Sequence, residues 1–240
     1  MSDFTPARAI RAISFDLDDT LWDNRPVLLA AEQSLFDWLS AHYPRICARQ
    51  GSDALRAGRL ALARARPELA HDMTALRKAW LGELAQRHGY PMRLVEEAFA
   101  VFIEARHRVR LYDEVLPALQ GLREAGFLLG ALTNGNASIR RLGLDRLFDF
   151  DVNAAQAKAT KPDPRVFRIA CERAGVAPWE MLHVGDDPAT DILGAHNAGV
   201  RTAWVNRSAR AWPERLEPDM VVRDLGELLQ QARRWRRTAG

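Results

Sequence analysis

The sequence has few cysteines, almost no excess of one charge and no long apolar segment. Its 240 residues include two cysteines, Cys47 and Cys171, which lie far apart and match no metal-ligand spacing. A disulfide framework is therefore not expected, and a reduced compartment is predicted. The formal net charge is +3, which is too small to indicate a nucleic-acid partner.

Membrane and secretion signals are also missing. No apolar run approaches the ~18 residues that a membrane-spanning helix needs. The first residues, MSDFTPARAIRAISF, contain no apolar segment followed by a small-residue cleavage site. A cytoplasmic protein without a membrane partner is therefore expected. The basic tail ARRWRRTAG is interpreted as a solvated helix end, with nucleic-acid binding as the less favoured alternative.

Short apolar runs, each followed by polar residues, alternate with helical patterns over most of the chain. Such alternation predicts an α/β fold with a parallel sheet between two helical layers. The strand-like runs are Ile10–Phe15, Phe127–Leu132, Met181–Val184 and Thr202–Val205. The helical patterns cover Val115–Ala125, Pro164–Ala174 and Thr190–Ala198. The segment DMVVRDLGELLQQ predicts a short edge strand and a final helix.

The stretch between the first two strands shows only helical periodicity. It predicts a helical cap domain at 23–111, inserted into a core domain formed by 1–22 and 112–240. Linkers are expected around Asp23–Pro26 and Val109–Asp113. A module inserted at a strand end would overhang the ligand site and close over it. The four predicted cap helices are Val27–His42, Ser52–Ala65, Thr74–His88 and Arg93–Arg108.

Acidic residues crowd directly after two of the predicted strands. Carboxylates that converge at a buried strand end repel one another, and a divalent cation relieves that repulsion. Clustered carboxylate oxygens favour Mg²⁺ over zinc. The crowded acids are Asp16, Asp18 and Asp19 near the N-terminus, and Asp186, Asp187 and Asp191 late in the chain.

Two further strand-end features suit an anionic substrate. Thr133 and Asn134 precede Gly135, which permits a tight, anion-binding turn. Lys161 stands before Pro162, which restricts its backbone just ahead of a helix start. Because the carboxyl ends of parallel strands share one edge of a sheet, these groups can meet the acids. A cation, a lysine and a nucleophilic carboxylate together indicate phosphoryl transfer.

Four segments resemble, in order and spacing, the motifs of the haloacid dehalogenase (HAD) superfamily: DLDDT, LTNGN, KPDPRVF and GDDPATD. The helical insert resembles that superfamily's all-α cap, so the resemblance implies a Rossmann-like core. Segments such as FDLDDTLWDNRPV and LHVGDDPATD are also similar to bacterial flavin mononucleotide phosphatases. That group also dephosphorylates 5-amino-6-(5-phospho-D-ribitylamino)uracil in riboflavin synthesis. The resemblance implies a Mg²⁺-dependent phosphatase of small phosphorylated metabolites.

The resemblance also implies a role for each motif residue. Asp16 would be the nucleophile, and Asp18 would be the general acid and then the general base. The phosphoryl group would be held by Thr133, Asn134 and Lys161. Mg²⁺ would be bound by the carboxylate of Asp16, the main-chain carbonyl of Asp18, and Asp186.

Supporting and substrate-selecting roles are less specific. Thr20 is expected to hold the first loop, and either Asp187 or Asp191 is expected to support the metal. Residues of the cap would select the leaving group, because they would face the substrate from above the sheet edge. The cap candidates are Arg25, His71, Arg77 and Arg106.

Three alternatives stay open. The family's dehalogenases need no metal and lack the second motif aspartate, so Asp18 and the acids of 186–191 disfavour that activity. A sugar phosphomutase would use the same aspartyl-phosphate, and the outcome depends on how the cap excludes water. A non-catalytic binding protein is expected to lack Asp16, Asp18 or Lys161, and all three are present.

Overall fold

A six-stranded parallel sheet forms the centre of the core. A computed structural model describes residues 10–48 and 50–238. The strands are β1 Ala12–Phe15, β2 Leu128–Thr133, β3 Phe150–Asn153, β4 Met181–Gly185, β5 Arg201–Val205 and β6 Met220–Val222. Their order across the sheet is β3-β2-β1-β4-β5-β6, and each neighbouring pair is parallel.

Every residue of β1 and of β4 is buried. Since side chains alternate between the two faces of a strand, continuous burial means that both faces of the sheet are covered. The predicted α/β class with a parallel sheet is therefore confirmed. The covering helices are α6 Val115–Glu124, α7 Ala154–Ala157, α8 Pro164–Ala174, α9 Gly194–Asn197 and α10 Leu225–Thr238.

The chain reverses its direction of progress across the sheet at β1. From β1 the order runs outward through β2 to β3, and on the other side through β4 to β6. Ligands of open parallel sheets bind beyond the carboxyl ends of the strands at such a reversal. The polar residues that follow β1, β2 and β4 therefore share the position expected of a site.

Some element bounds differ from the sequence predictions. β1 begins at Ala12 rather than Ile10, and the unpredicted strand β3 pairs with β2. In β3 the buried Phe150 and Val152 alternate with half-buried residues, because this strand lies at an edge of the sheet. The predicted helix Thr190–Ala198 is instead a turn of π-helix, Pro188–Leu193, followed by α9.

The helical part contains the four long helices that were predicted. They bury a common apolar cluster that includes Leu35, Leu39, Trp80, Leu94 and Phe102. Burial of such faces, rather than helix propensity alone, stabilises helices of this length. The helices of this part are α1 Asn24–His42, α2 Pro44–Cys47, α3 Ser52–Ala65, α4 Met73–Arg87 and α5 Arg93–Arg106.

The chain divides into two compact units. The first runs to Asp23 and continues over Arg110–Asn134 and from Ile139 onward; the second consists of Asn24–Val109 and Gly135–Ser138. Helix α1 begins at Asn24, so most of the predicted linker Asp23–Pro26 is helical.

The short segment Gly135–Ser138 was not predicted to join the helical unit. There the backbone N–H of Ser138 donates to Nε2 of His107 at 2.9 Å. Nδ2 of Asn136 lies 3.4 Å from Oγ1 of Thr74. The turn after β2 therefore packs with the helices, although β2 itself belongs to the sheet.

Within the described ranges, no helix is both long and apolar enough to cross a membrane. The start of the predicted core segment, residues 1–9, lies outside the described residues. The side chains of Arg236 and Arg237 in the basic tail lie outside them as well.

Candidate active site

Asp16 and Lys161 meet at the carboxyl end of the central strand. Asp16 directly follows β1, and its backbone N–H donates to the carbonyl of Val184 in β4 at 2.9 Å. Nζ of Lys161 donates to Oδ1 of Asp16 at 2.5 Å and to the carbonyl oxygen of Leu132 at 3.0 Å. Both side chains are buried. The two residues are 145 positions apart in sequence, so only the sheet brings them together.

The side chain of Asn134 holds the backbone of Lys161. Oδ1 of Asn134 accepts from the backbone N–H of Lys161 at 2.7 Å. Nδ2 of Asn134 donates to the backbone carbonyl oxygen of Lys161 at 3.0 Å. The amide of Asn134 therefore holds the backbone of Lys161, and its role in binding phosphate stays a prediction. Thr133, the last residue of β2, is buried at the same edge of the sheet.

Asp191 is the second carboxylate bound to Lys161. Its Oδ1 accepts from Nζ at 2.6 Å, and its Oδ2 accepts from the backbone N–H of Asp187 at 3.1 Å. Gly185 at the end of β4 makes this approach possible. A Cβ atom on Gly185 would lie 2.3 Å from Cγ of Asp191, far inside van der Waals contact.

The side chain of Asp187 has a different task from that of Asp191. Its Oδ1 accepts from the backbone N–H groups of Ala189 and Thr190, at 3.0 and 2.7 Å, and from Oγ1 of Thr190 at 3.0 Å. This is an N-cap at the start of the π-helical turn. Of the two candidates that the sequence left open, Asp191 therefore lies in the buried cluster and Asp187 caps the turn.

Three carboxylates form a cluster that suits a hard divalent cation. One oxygen from each of Asp16, Asp186 and Asp191 lies within 4.8 Å of the others. The nearby Lys161 supplies one positive charge against three acids. Because all three side-chain donors are carboxylate oxygens, the set matches the preference of Mg²⁺. The carboxylate set thus fits the cofactor implied by the motifs.

Burial and mutual repulsion shift the pKa values of these acids. Burial, together with the negative charges of Asp191 and Asp19, raises the pKa of Asp186 to about 7. Burial also raises the pKa of Asp16 well above its usual value, although Lys161 acts in the opposite direction. A bound cation would favour the charged form of either acid and would therefore displace its proton to solvent.

The opposite shifts occur at Lys161 and Asp191. Burial acts against the ammonium, but Asp16 and Asp191 outweigh it and raise the pKa of Lys161. Burial likewise acts against the carboxylate of Asp191, but Lys161 and His183 outweigh it and lower the pKa of Asp191. Lys161 and Asp191 therefore form a charged pair, while Asp16 competes for the same ammonium.

A sequence profile described as haloacid dehalogenase-like hydrolase matches residues 10–199, which include all of these site residues. The chain belongs to this family. It is 32% identical over 236 residues to the 5-amino-6-(5-phospho-D-ribitylamino)uracil phosphatase YigB of Escherichia coli K12. That alignment covers 94% of this chain and 97% of YigB.

Solved structures of the family include phosphatases and dehalogenases. A structure described as 2-haloacid dehalogenase from Pseudomonas syringae pv. tomato DC3000 has a TM-score of 0.88 and 39% identity, covering 94% of this chain and 99% of that one. A HAD phosphatase from Thermococcus onnurineus has a TM-score of 0.66 and 27% identity, covering 92% and 97%. The predicted HAD membership and enzyme class, a phosphatase of this family, are both confirmed.

The first motif loop of this HAD hydrolase turns sharply after Asp18. Asp19 adopts a positive φ of 63° and donates its backbone N–H to the carbonyl of Trp22 at 2.9 Å. Asp is among the residues that tolerate this conformation. The carbonyl of Thr20 accepts from Nη2 of Arg207 at 3.0 Å, and the side chain of Thr20 is buried. Asp18 itself is half-buried, and its backbone forms an isolated β-bridge with that of Trp22.

The predicted substrate-selecting residues of the HAD cap lie in different environments within the helical unit. Nη2 of Arg77 donates to Oε1 of Glu32 at 2.8 Å, and its guanidinium lies 3.3 Å from the ring centroid of Phe102. This buried pairing makes Arg77 part of the unit's interior. Arg106 is buried too, whereas Arg25 is exposed on α1 and His71 is half-buried before α4.

Sequence reasoning missed two residues beneath the HAD site. Oγ of Ser14 and Nδ1 of His183 are 3.0 Å apart, and Nε2 of His183 lies 3.3 Å from Oδ1 of Asp191. Ser14 and His183 are paired in register across β1 and β4. The available signal was a single polar residue inside each of two apolar strands, AISF and MLHVG.

Proposed function

We propose that this protein is a Mg²⁺-dependent phosphatase that transfers the phosphoryl group of a small metabolite to Asp16. The observation that carries the proposal is the position of the Lys161 ammonium, bonded to both Asp16 and Asp191. An oxygen of Asp186 lies in the same cluster of acids. A nucleophile, an ammonium and a cation-binding set are the parts that phosphoryl transfer requires.

In the first half-reaction, a carboxylate oxygen of Asp16 attacks phosphorus. The bond from phosphorus to the ester oxygen breaks, and the carboxylic acid of Asp18 protonates the leaving alkoxide. Lys161 and Thr133 bind the non-bridging phosphoryl oxygens, while Asn134 holds the lysine in place. The products are an alcohol and an aspartyl-phosphate.

In the second half-reaction, Asp18 accepts a proton from water as the water oxygen attacks phosphorus. The bond between phosphorus and the oxygen of Asp16 breaks, which releases inorganic phosphate and restores the carboxylate. The cation would be held by Asp16, Asp186 and the main-chain carbonyl of Asp18, with Asp191 as support. When bound, Mg²⁺ supplies positive charge against the carboxylate and phosphoryl oxygens.

The proposed substrate class is a riboflavin-pathway phosphate ester, either 5-amino-6-(5-phospho-D-ribitylamino)uracil or flavin mononucleotide. The alignment with YigB supports this class because it extends over nearly the whole of both chains. Substrate selection would depend on residues outside the motifs, and Arg25 and His71 are the remaining candidates with side chains that are not fully buried.

The test is phosphate release from a panel of esters, measured with Mg²⁺ and with excess chelator. The panel contains the two riboflavin-pathway esters, phosphoserine and a sugar phosphate. We expect the highest kcat/KM for a riboflavin-pathway ester, and no release in chelator. No phosphate release from any ester would contradict the proposal.

The dehalogenase alternative is tested in the same assay, since one structural neighbour at 39% identity is described as a 2-haloacid dehalogenase. Halide release from 2-chloropropanoate without added metal would support that alternative. We expect none, because Asp18 and Asp186 have no role in displacing halide from carbon. Formation of a phosphate isomer without free phosphate would instead indicate a mutase.

A further inference from the structure

Ser14 and His183 form a buried hydrogen-bonded pair directly beneath the candidate site. Both side chains are completely buried, although each is polar. Ser14 lies two residues before Asp16, and His183 lies two residues before Gly185, so each shares a face with the strand-end position above it. The strand-end positions are Asp16 and Gly185, and the missing side chain of Gly185 leaves the space that Asp191 occupies.

The chemistry of Asp191 determines which nitrogen of His183 carries the proton. An ionised carboxylate only accepts hydrogen bonds, and Oδ1 of Asp191 lies 3.3 Å from Nε2. Nε2 therefore donates this hydrogen bond, and with the proton on Nε2 alone, Nδ1 accepts. Oγ of Ser14, 3.0 Å from Nδ1, is then the donor.

We propose that Ser14 and His183 are positioning residues that hold Asp191 in the orientation that directs the Lys161 ammonium onto Asp16. The hydroxyl of Ser14 fixes the ring of His183, and Nε2–H of that ring donates to Asp191. The same oxygen of Asp191 accepts from Lys161 at 2.6 Å. The inference rests on the proposed function, in which Asp16 is the nucleophile.

Packing limits the other orientations that the His183 ring can adopt. The ring of Phe167 meets it edge-on, with centroids 5.1 Å apart and an interplanar angle of 79°. Partners behind a charged group commonly set its orientation, and their loss costs about 10- to 100-fold in metal affinity or activity at metal sites. Since His183 contacts Asp191 and not Asp16, it acts through another residue.

The first experiment determines the tautomer without any substrate. Long-range ¹H–¹⁵N spectra of the wild-type protein identify the His183 signals by their loss in His183→Gln. We expect a neutral ring protonated at Nε2, and in Ser14→Ala an Nδ1 resonance shifted toward that of a nitrogen without a donor. A ring protonated at Nδ1 alone would overturn the proposal.

The second experiment uses a matched set of variants in the phosphatase assay. His183→Gln keeps an N–H that can reach Asp191, whereas His183→Leu keeps bulk and loses the donor. We expect kcat to fall about 10- to 100-fold in His183→Leu. We expect most of kcat to be retained in His183→Gln, with KM changed less than threefold in both. Ser14→Ala should lower kcat about three- to tenfold, as loss of one hydrogen bond would.

Thr202→Val is the control for a purely structural effect. Thr202 lies beside His183 in register, is buried, and places its hydroxyl 3.1 Å from Oδ2 of Asp219. The control should lose thermal stability and keep kcat. If His183→Leu keeps kcat within twofold, or loses it no more than Thr202→Val at equal stability, the proposal is wrong. An inactive wild type would contradict the proposed function instead, while the tautomer measurement would still test the hydrogen bonds.

Discussion

Nζ of Lys161 lies 2.5 Å from Oδ1 of Asp16. A single ammonium thus holds the proposed nucleophile in place and offsets part of the charge that three clustered acids bring together. Because Asp191 binds the same ammonium, removal of any one of these groups changes the environment of the other two.

Asp16→Asn is expected to lower phosphate release by at least about 10³-fold, because an amide oxygen is a poor nucleophile toward phosphorus. The fold should survive, since Lys161 keeps Asp191 and the carbonyl of Leu132 as acceptors. Turnover measurements check the loss of phosphate release, and thermal unfolding checks that the fold survives. The control is Asp53→Asn, whose side chain is 93% exposed. Wild-type turnover in Asp16→Asn would exclude Asp16 as the nucleophile.

Lys161→Met is expected to destabilise the metal-free protein by about 3–5 kcal/mol, because it leaves buried carboxylates without their cation. Denaturant unfolding in chelator measures this loss. Addition of Mg²⁺ should recover part of it, since a bound cation would replace the lost positive charge. Lys78→Met removes an exposed pair with Glu96 and should change stability by less than about 1 kcal/mol. Equal losses of stability in Lys161→Met and Lys78→Met would contradict a stabilising role for the buried ammonium.

Gly185→Ala is expected to lower both activity and stability, because the new Cβ would lie 2.3 Å from Cγ of Asp191. Displacing a buried, paired carboxylate should cost about 1–3 kcal/mol and separate Asp191 from Lys161. Gly51→Ala is the matched control, since its Cβ would meet nothing within 4 Å. Steady-state kinetics of both variants measure the loss of activity, and their unfolding curves measure the loss of stability. An unchanged kcat in Gly185→Ala would mean that Asp191 can move without consequence.

Glu32→Gln tests the buried pairing of the helical unit through its pH dependence. Burial would raise the pKa of Glu32, but Arg77 and Arg59 outweigh it and lower the pKa below its usual 4.5. A carboxylate with a lowered folded-state pKa adds stability above its unfolded pKa, and the contribution disappears as the pH falls through the folded value. The variant should therefore be less stable by about 1–3 kcal/mol at pH 7.

The difference in the free energy of unfolding between wild type and Glu32→Gln should shrink as the pH falls below about 4, where the carboxyl group of Glu32 is protonated in the unfolded chain. Denaturant unfolding at several pH values measures it. Glu96→Gln is the control, because its partner Lys78 lies in an exposed pair. A gap that stays constant from pH 7 to pH 3 would show that Glu32 adds no charge-dependent stability.

Much of the local structure could be predicted from sequence. The bounds of α3 and α8 agree with the predictions Ser52–Ala65 and Pro164–Ala174, because turn-forming residues lie next to strong periodic patterns. The parallel sheet also followed from the alternation of strand and helix. β3 was missed because a four-residue edge strand with half-buried alternate positions carries little apolar signal.

The candidate site could be predicted from the sequence only in part. Asp16 and Asp186 directly follow β1 and β4, so any parallel arrangement of these strands brings them to one sheet edge, whereas Lys161 lies between α7 and α8. The choice between Asp187 and Asp191 depended instead on which carboxylate reaches Lys161 and which caps a turn. Both acids occupy one short loop, so their spacing alone could not distinguish them.

The sequence by itself determined the fold class, the family and the set of acidic and basic site residues, because each can be recognised in short segments of consecutive residues. Only the tertiary structure decided the partners of those groups: Asn134 with the backbone of Lys161, and His183 with Ser14 and Asp191. The physical reason is that hydrogen bonds and ion pairs are made at about 3 Å. Ser14 and His183, 169 positions apart, reach that distance only when β1 and β4 pair in the sheet.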